Sequence, residues 1–229
     1  IYDQKVLAVD LGVNNSVVCC VMKSDGTVLA RKFINQPREK DQMDHLLNRL
    51  KKKQKQGGLY STNKKLWSKV NNLNKSIAEQ TANDIINFAI TNNIDIIVFE
   101  YLDFKGGSRS QKLHFWKKRY VQDITTSKAH RLGIRISRIN PANTSKLAFD
   151  GSGPVKRHKT NYSLCTFQTG KEYHSDLNAS YNIGARYFIR EIEKTTSVKK
   201  WSLCLAKVPD IGRRIQATLS TLISLNMVI

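Results

Sequence analysis

The chain has 229 residues, 40% apolar and 24% charged, with a formal net charge of +20. That is enough chain to bury a core without staples, and too apolar a composition for disorder. No apolar run approaches the roughly 18–20 residues that cross a bilayer, so no membrane partner is expected.

No basic and apolar leader opens the chain, and a cytoplasmic location is expected. The first residue is Ile1 rather than Met, and an upstream portion is expected. The positive charge is concentrated. Residues 31–75 hold 13 Lys and Arg against 3 acids, and residues 105–138 hold 10 against Asp123 alone. Two such blocks suit a phosphate backbone better than a pair of merely solvated helix faces. The candidate nucleic-acid contacts are Lys51, Lys52, Lys53, Lys64, Lys65, Arg109, Lys117, Lys118 and Arg119.

In chain order, Lys5 to Asp10 is a short apolar run that reads as a buried strand. Val17 to Met22 reads as a second strand. Ser24 to Thr27 reads as a hairpin turn, and Val28 to Ile34 as a third strand, completing an antiparallel meander. Pro37 ends the meander. A polar helical region follows, with Met43, Leu46, Leu47 and Leu50 on one face, until Gly57 and Gly58 break it.

From about Asn63, Leu66, Val70, Leu73, Ile77, Thr81, Ile85 and Phe88 recur every three or four residues and predict a long helix. Asp95 to Glu100 is the next buried strand. A Gly-Gly-Ser loop at 106–108 leads to a helix over roughly 111–132, and Ile134 to Ile139 forms another strand. Residues 141–174 are expected to be loops with a short hairpin near 162–167. A helix follows from Asp176, with Leu177, Tyr181, Gly184, Ala185 and Phe188 on one face and Ser175 or Asp176 capping its start. Beyond Thr195 basic and apolar residues mix without a readable pattern.

Three meander strands, helix, strand, helix, strand is the layout of the RNase H-like (RuvC) α/β fold, a mixed sheet with helices on both faces. On this reading residues 1–140 and 175–194 form one domain, 141–174 an insert, and 195–229 a tail of unassigned role.

Cys19, Cys20, Cys165 and Cys204 contain no CxxC pair, so reduced thiols serving as small hydrophobes are expected. His158 and His174 stand among polar neighbours and read as surface residues. No Ser–His–Asp order or phosphate-cradling Gly-rich loop is present.

Asp10 and Glu100 each end an apolar strand run, and Asp176 opens a helix whose apolar face suits the same sheet. Three convergent carboxylates are what magnesium or manganese needs, because these ions take hard oxygen ligands and keep several waters. Two such ions activate water and stabilise both oxygens of a phosphodiester displacement. Each acid alone has a plainer reading: two strand ends and a helix cap. Asp103 reads as a loop-surface residue, the alternative being a place flanking the site.

Val9 to Asn15, the strand end Val98-Phe99-Glu100, and Asp176 to Ile183 resemble the three RuvC motifs of the TnpB family, and Thr144-Ser145-Lys146 is similar to that family as well. The resemblance covers about residues 6–190. It implies a magnesium-dependent DNA endonuclease directed by a guide RNA, with Asp10, Glu100 and Asp176 as its catalytic and metal-binding acids. In that mode base pairing reads sequence and protein holds the backbone.

Many members carry a four-cysteine zinc ribbon in the insert. Only Cys165 stands here, so zinc is not expected and packing must hold the segment. The family's N-terminal, RNA-binding half has no counterpart, so the sequence is expected to be a piece of a longer protein or a reduced element. Two rival classes are a nucleic-acid-binding transposon relic or repressor that does not cut, and an actin-like kinase. The kinase lacks a second Asp-x-Gly phosphate loop in a strand-hairpin context.

Overall fold

The structure, a computed structural model, describes residues 4–12, 17–57, 61–102 and 109–229. Strands β1 (Lys5–Asp10), β2 (Val17–Lys23) and β3 (Val28–Ile34) form the meander. The turn between β2 and β3 closes through Lys23 N to Thr27 O at 3.0 Å, with Gly26 at φ +90° where other residues would be strained. Helices α1 (Pro37–Lys55) and α2 (Lys64–Thr91) lead to β4 (Ile96–Glu100), and α3 (Arg109–Arg131) leads to β5 (Arg135–Ile139). Pro37 does more than end the meander: it lies in the first turn of α1, where its missing N–H costs nothing.

The sheet order is β3-β2-β1-β4-β5, antiparallel through the meander and parallel across β1, β4 and β5. The sheet is thus mixed, and strand boundaries fall within a residue of the sequence expectation.

Pleating divides the sheet cleanly. Val6, Ala8, Val18, Cys20, Ile96 and Val98 pack on one face with helix α4 (Ser175–Thr195). Leu7, Val9, Val17, Cys19, Ile97 and Phe99 pack on the other with α2 and α3 residues such as Ala78, Ile85, Val121 and Ala129. The adjacent cysteines therefore enter opposite layers, as period-two alternation requires, and all four thiols are free and buried.

Helix α4 lies close on β1 and β2 because Gly184 has no side chain. A Cβ there would stand 3.0 Å from Met22 Sδ and 3.4 Å from Ala8 Cβ. Its start differs from expectation. His174 holds the cap position without a side-chain cap bond, and Asp176 lies in the first turn. The Ser175 hydroxyl instead donates to the Tyr162 carbonyl at 3.4 Å. Nor is His174 a surface residue, since its ring packs edge-on against Phe33 at 4.9 Å. His158 is exposed in a turn, with Nδ1 3.3 Å from Asn161 N.

The insert holds a three-stranded antiparallel sheet, β6 (Lys156–Arg157), β7 (Leu164–Thr166) and β8 (Glu172–His174), where only a hairpin was expected. Phe149 anchors it, with ring centroids 5.4 Å from Phe167, 5.0 Å from Tyr173 and 5.1 Å from Tyr181. Such pairs each add about 0.5–1.5 kcal/mol beyond area burial.

The tail is the largest departure. The segment folds into helices α5 (Val198–Lys207) and α6 (Leu219–Asn226), with a 3-10 turn at Pro209–Gly212, and α6 packs against α4. Cys204, Ile211, Ala217, Leu219, Leu222 and Leu225 belong to the same buried cluster as β1, β2 and α4. Among the described residues no helix is long and apolar enough to cross a membrane.

Leu222 has no exposed surface. Leu222→Ala is therefore expected to destabilise the chain by about 2–5 kcal/mol in urea unfolding. A change within about 0.5 kcal/mol, as at an exposed site, would mean the tail is not part of the core.

Candidate metal centre and nucleic-acid interface

Asp10 and Glu100 end neighbouring parallel strands. The register pairs Ala8 with Val98, and two further steps bring Asp10 level with Glu100. Both share the parity of Ala8 and Val98, so both side chains leave the sheet on the α4 face.

The level of Asp176 follows from the packing of α4. Gly184 meets Ala8 and Met22, and Tyr187 reaches Gln4 at 3.3 Å, so α4 runs antiparallel to β1. Going back from Gly184 to Asp176 covers about 12 Å of helix, equal to three or four residues of strand. Asp176 thus arrives beside the carboxyl ends of β1 and β4.

The electrostatics agree. Burial pushes the Asp10 carboxyl well above its ordinary range, and the charges of Glu100 and Asp176 push it further, against Lys118 and Arg157. Asp10 keeps part of its surface open, so it is a desolvated acid at the floor of an accessible edge. Burial also raises Glu100, opposed by the Thr144 hydrogen bond, Lys118 and Arg186. Among the described residues no three His, Cys, Asp or Glu side chains stand close enough to hold one ion between them. The three acids share an edge and each other's fields, but they do not form a closed cage.

A polar stripe on α4 frames this edge, and sequence reasoning passed over it. Asn178, Asn182 and Arg186 recur at helical spacing and are buried. Asn178 donates to Leu147 O and accepts from Phe149 N, both at 2.8 Å. Asn182 donates to Thr144 O and Leu147 O at 2.9 Å and accepts from Leu219 N at 3.3 Å. Arg186 donates to the carbonyls of Asn140, Ala142, Ile215 and Ala217 at 2.6–3.3 Å. Burial pulls the Arg186 guanidinium down to about 10 while Glu100 opposes that. The available signal was an Asn–Asn–Arg stripe at i, i+4, i+8 on an otherwise apolar helix.

The basic residues fall in two places. On α3, the Gln122 amide donates to the Glu100 carbonyl at 3.0 Å, so Lys117, Lys118 and Arg119 lie one turn past the acid-bearing edge. Lys118 is close enough to act on both Asp10 and Glu100. Burial lowers Lys117 to about 8, with Lys40 adding to the effect. Arg119 is exposed. Arg109 opens α3, and its side chain lies outside the described residues, as do Asp103, the 106–108 loop and Val13 to Asn15.

Lys51, Lys52, Lys53, Lys64 and Lys65 are all exposed at the joined ends of α1 and α2. Gln36, just past β3, donates to Thr81 at 3.1 Å. The α2 segment from Lys64 to Thr81, about 25 Å of helix, therefore projects beyond the same edge. Arg157, unmarked by any sequence pattern, comes from β6.

A mixed α/β sheet with an acidic carboxyl edge and basic helices around it is thus the class this chain presents. Residues 119–183 match the family described as Cas12f1-like, TNB domain. A TnpB-like protein of Aquifex aeolicus (strain VF5) is 29% identical over 200 residues, covering 77% of this chain and 65% of that protein. Two solved structures share the fold. Cas12f1 in an sgRNA–target DNA complex has a TM-score of 0.61 at 20% identity, over 78% of this chain and 49% of its own. The mini-RNA-guided endonuclease CRISPR-Cas phi3 has a TM-score of 0.54 at 15% identity, over 79% and 44%. The chain is thus similar to a TnpB-like protein, and it spans about two thirds or less of the length of each of these matches.

With its folded pKa above the unfolded value, Asp10 holds an extra proton in the folded state between the two. Stability therefore falls as pH rises through that window, and the deficit is absent below the ordinary carboxylate pKa. In chelator, Asp10→Asn is expected to stabilise by on the order of 1 kcal/mol near neutral pH and by nothing below about pH 4. Destabilisation at neutral pH, read by urea unfolding, would sink this electrostatic account.

Proposed function

We propose that this chain is the nuclease portion of a TnpB-type DNA endonuclease, an RNase H-like (RuvC) domain that hydrolyses phosphodiester bonds with magnesium or manganese. In this reading residues 1–140 and 175–194 are the catalytic domain, 141–174 an insert, and 195–229 a packed extension. Guide RNA would engage the full-length protein. The observation that carries the reading is the desolvated Asp10 carboxylate, level with Glu100 and acted on by Asp176 at one sheet edge. A fold has no structural use for such mutual repulsion, and a divalent cation relieves it.

The donors fit the ion. Asp10, Glu100 and Asp176 offer hard carboxylate oxygens. Magnesium needs only one or two of them per ion and fills the remaining positions with water and phosphate. A looser set than a three-ligand cage is therefore adequate.

When bound, the ions supply the activated water and the charge stabilisation of the displacement. The chain's own residues do the rest. Lys118 and Arg157 stand where a phosphate would pass the acids, and Lys117 and Arg119 continue that cationic path along α3. The projecting tip of α1 and α2, with Lys51–Lys53, Lys64 and Lys65, would grip backbone farther from the cut.

Glu100→Gln and Asp176→Asn are each expected to reduce magnesium-dependent cleavage of single-stranded DNA by at least about a hundredfold, with DNA affinity kept. Unchanged cleavage in either variant overturns the site. Binding that survives with no metal-dependent cutting in the unsubstituted chain marks a binding relic or repressor instead. Replacing Lys51, Lys52 and Lys53 with Gln should lower the slope of log affinity against log salt by about 0.7 for each single-strand phosphate that these lysines neutralise. An unaltered slope would remove the tip from the interface.

A further inference from the structure

The Glu100 carboxylate has a neutral partner as well as the cations around it. The Thr144 hydroxyl donates to Glu100 Oε1 at 2.5 Å and lies 2.9 Å from the Pro141 carbonyl. A hydroxyl has one proton to give, and a carboxylate is the stronger acceptor. Thr144 is 2% exposed, in a turn that neither strand nor helix supports.

That turn is held from outside. Asn182 grips the carbonyls of Thr144 and Leu147, and Arg186 grips those of Asn140 and Ala142. The turn is therefore tied to α4, the helix that carries Asp176. Thr144 cannot follow the Glu100 side chain, so the side chain must follow Thr144. A threonine needed only to close its turn would be satisfied by Pro141 alone.

We propose that Thr144 is the positioning residue for Glu100: its hydroxyl occupies Oε1 and leaves Oε2 to face a divalent ion, and Asn182 and Arg186 set Glu100 and Asp176 in one frame. The inference rests on the metal-binding reading of the site. Hydrogen-bond partners of metal-ligating carboxylates orient them and sharpen their affinity.

The test is manganese binding, followed by the paramagnetic resonance signal of free Mn²⁺, in the unsubstituted chain and in Thr144→Val, Thr144→Ala, Thr144→Ser and Asp10→Ala. Thermal melts in chelator confirm folding. If Thr144→Val does not fold, Thr144→Ala carries the comparison. Val and Ala should weaken Mn²⁺ by roughly 10–100-fold. Ser, which keeps the hydroxyl, should stay within about threefold of the unsubstituted chain. Cleavage by the Val variant should recover as metal concentration is raised.

Unaltered Mn²⁺ affinity in Val or Ala, with Asp10→Ala binding none, overturns the role of Thr144 and leaves the metal centre standing. Equal loss in Ser and Val also overturns it, because a disturbed turn would then be the cause. Mn²⁺ binding that Asp10→Ala does not weaken overturns the centre and this role together.

Discussion

The grip of α4 on backbone carbonyls is the interaction on which the remaining structure depends. Asn178, Asn182 and Arg186 put three polar side chains into a buried layer, where each unmatched donor would cost about 1–3 kcal/mol or more. They are matched almost entirely by carbonyls of the turn after β5 and of the segment before α6. Two lengths of chain without regular structure of their own are thereby held in place by one helix. The same helix carries Asp176 at its start and Gly184 at its closest approach to the sheet, so the position of the acid and the shape of the frame share one origin.

The sheet supplies the other half. Parallel pairing of β1 and β4 sets Asp10 and Glu100 at one level, and pleating sends both toward α4. Burial then makes their negative charge expensive, and the cations acting on Asp10, Lys118 and Arg157, come from separate elements, α3 and β6. The acids therefore share one edge with cations drawn from two other elements, and the buried charge on Asp10 is only partly offset by them. The insert contributes through Arg157, which an aromatic cluster around Phe149 holds near the acids by packing.

Much of the fold was legible in the chain because its signals are local. The runs ending at Asp10 and Glu100, the turn at Gly26 and the stripe from Leu66 to Phe88 follow from period-two and near-3.6-residue repeats. The acids were visible as candidates because they end strands or open a helix. The tail was not legible. Helices α5 and α6 are short, their apolar residues are interrupted by polar ones, and the partners of those residues lie far back in the chain, in the cluster shared with β1, β2 and α4. A hint stood in α4 itself: Ala179 and Ile183 lie off its predicted face, and a helix buried all round needs a second cover. The cap expected of Ser175 or Asp176 failed for a similar reason. Pairing in β8 carries the chain to His174 and shifts the cap by one residue.

By itself, then, the sequence determined the order of the five sheet strands and of the helices from α1 to α4, the two faces of those strands, the excess of positive charge and the three acids worth pairing. Each of these depends on neighbours a few residues away. Only the tertiary structure decided that Asp10 and Glu100 stand level, that α4 runs antiparallel to β1 and delivers Asp176 to them, and that Thr144 meets Glu100 from a turn bound to Asn182. Those facts are set by strand register, helix direction and hydrogen bonds between residues tens of positions apart, and no local pattern encodes them.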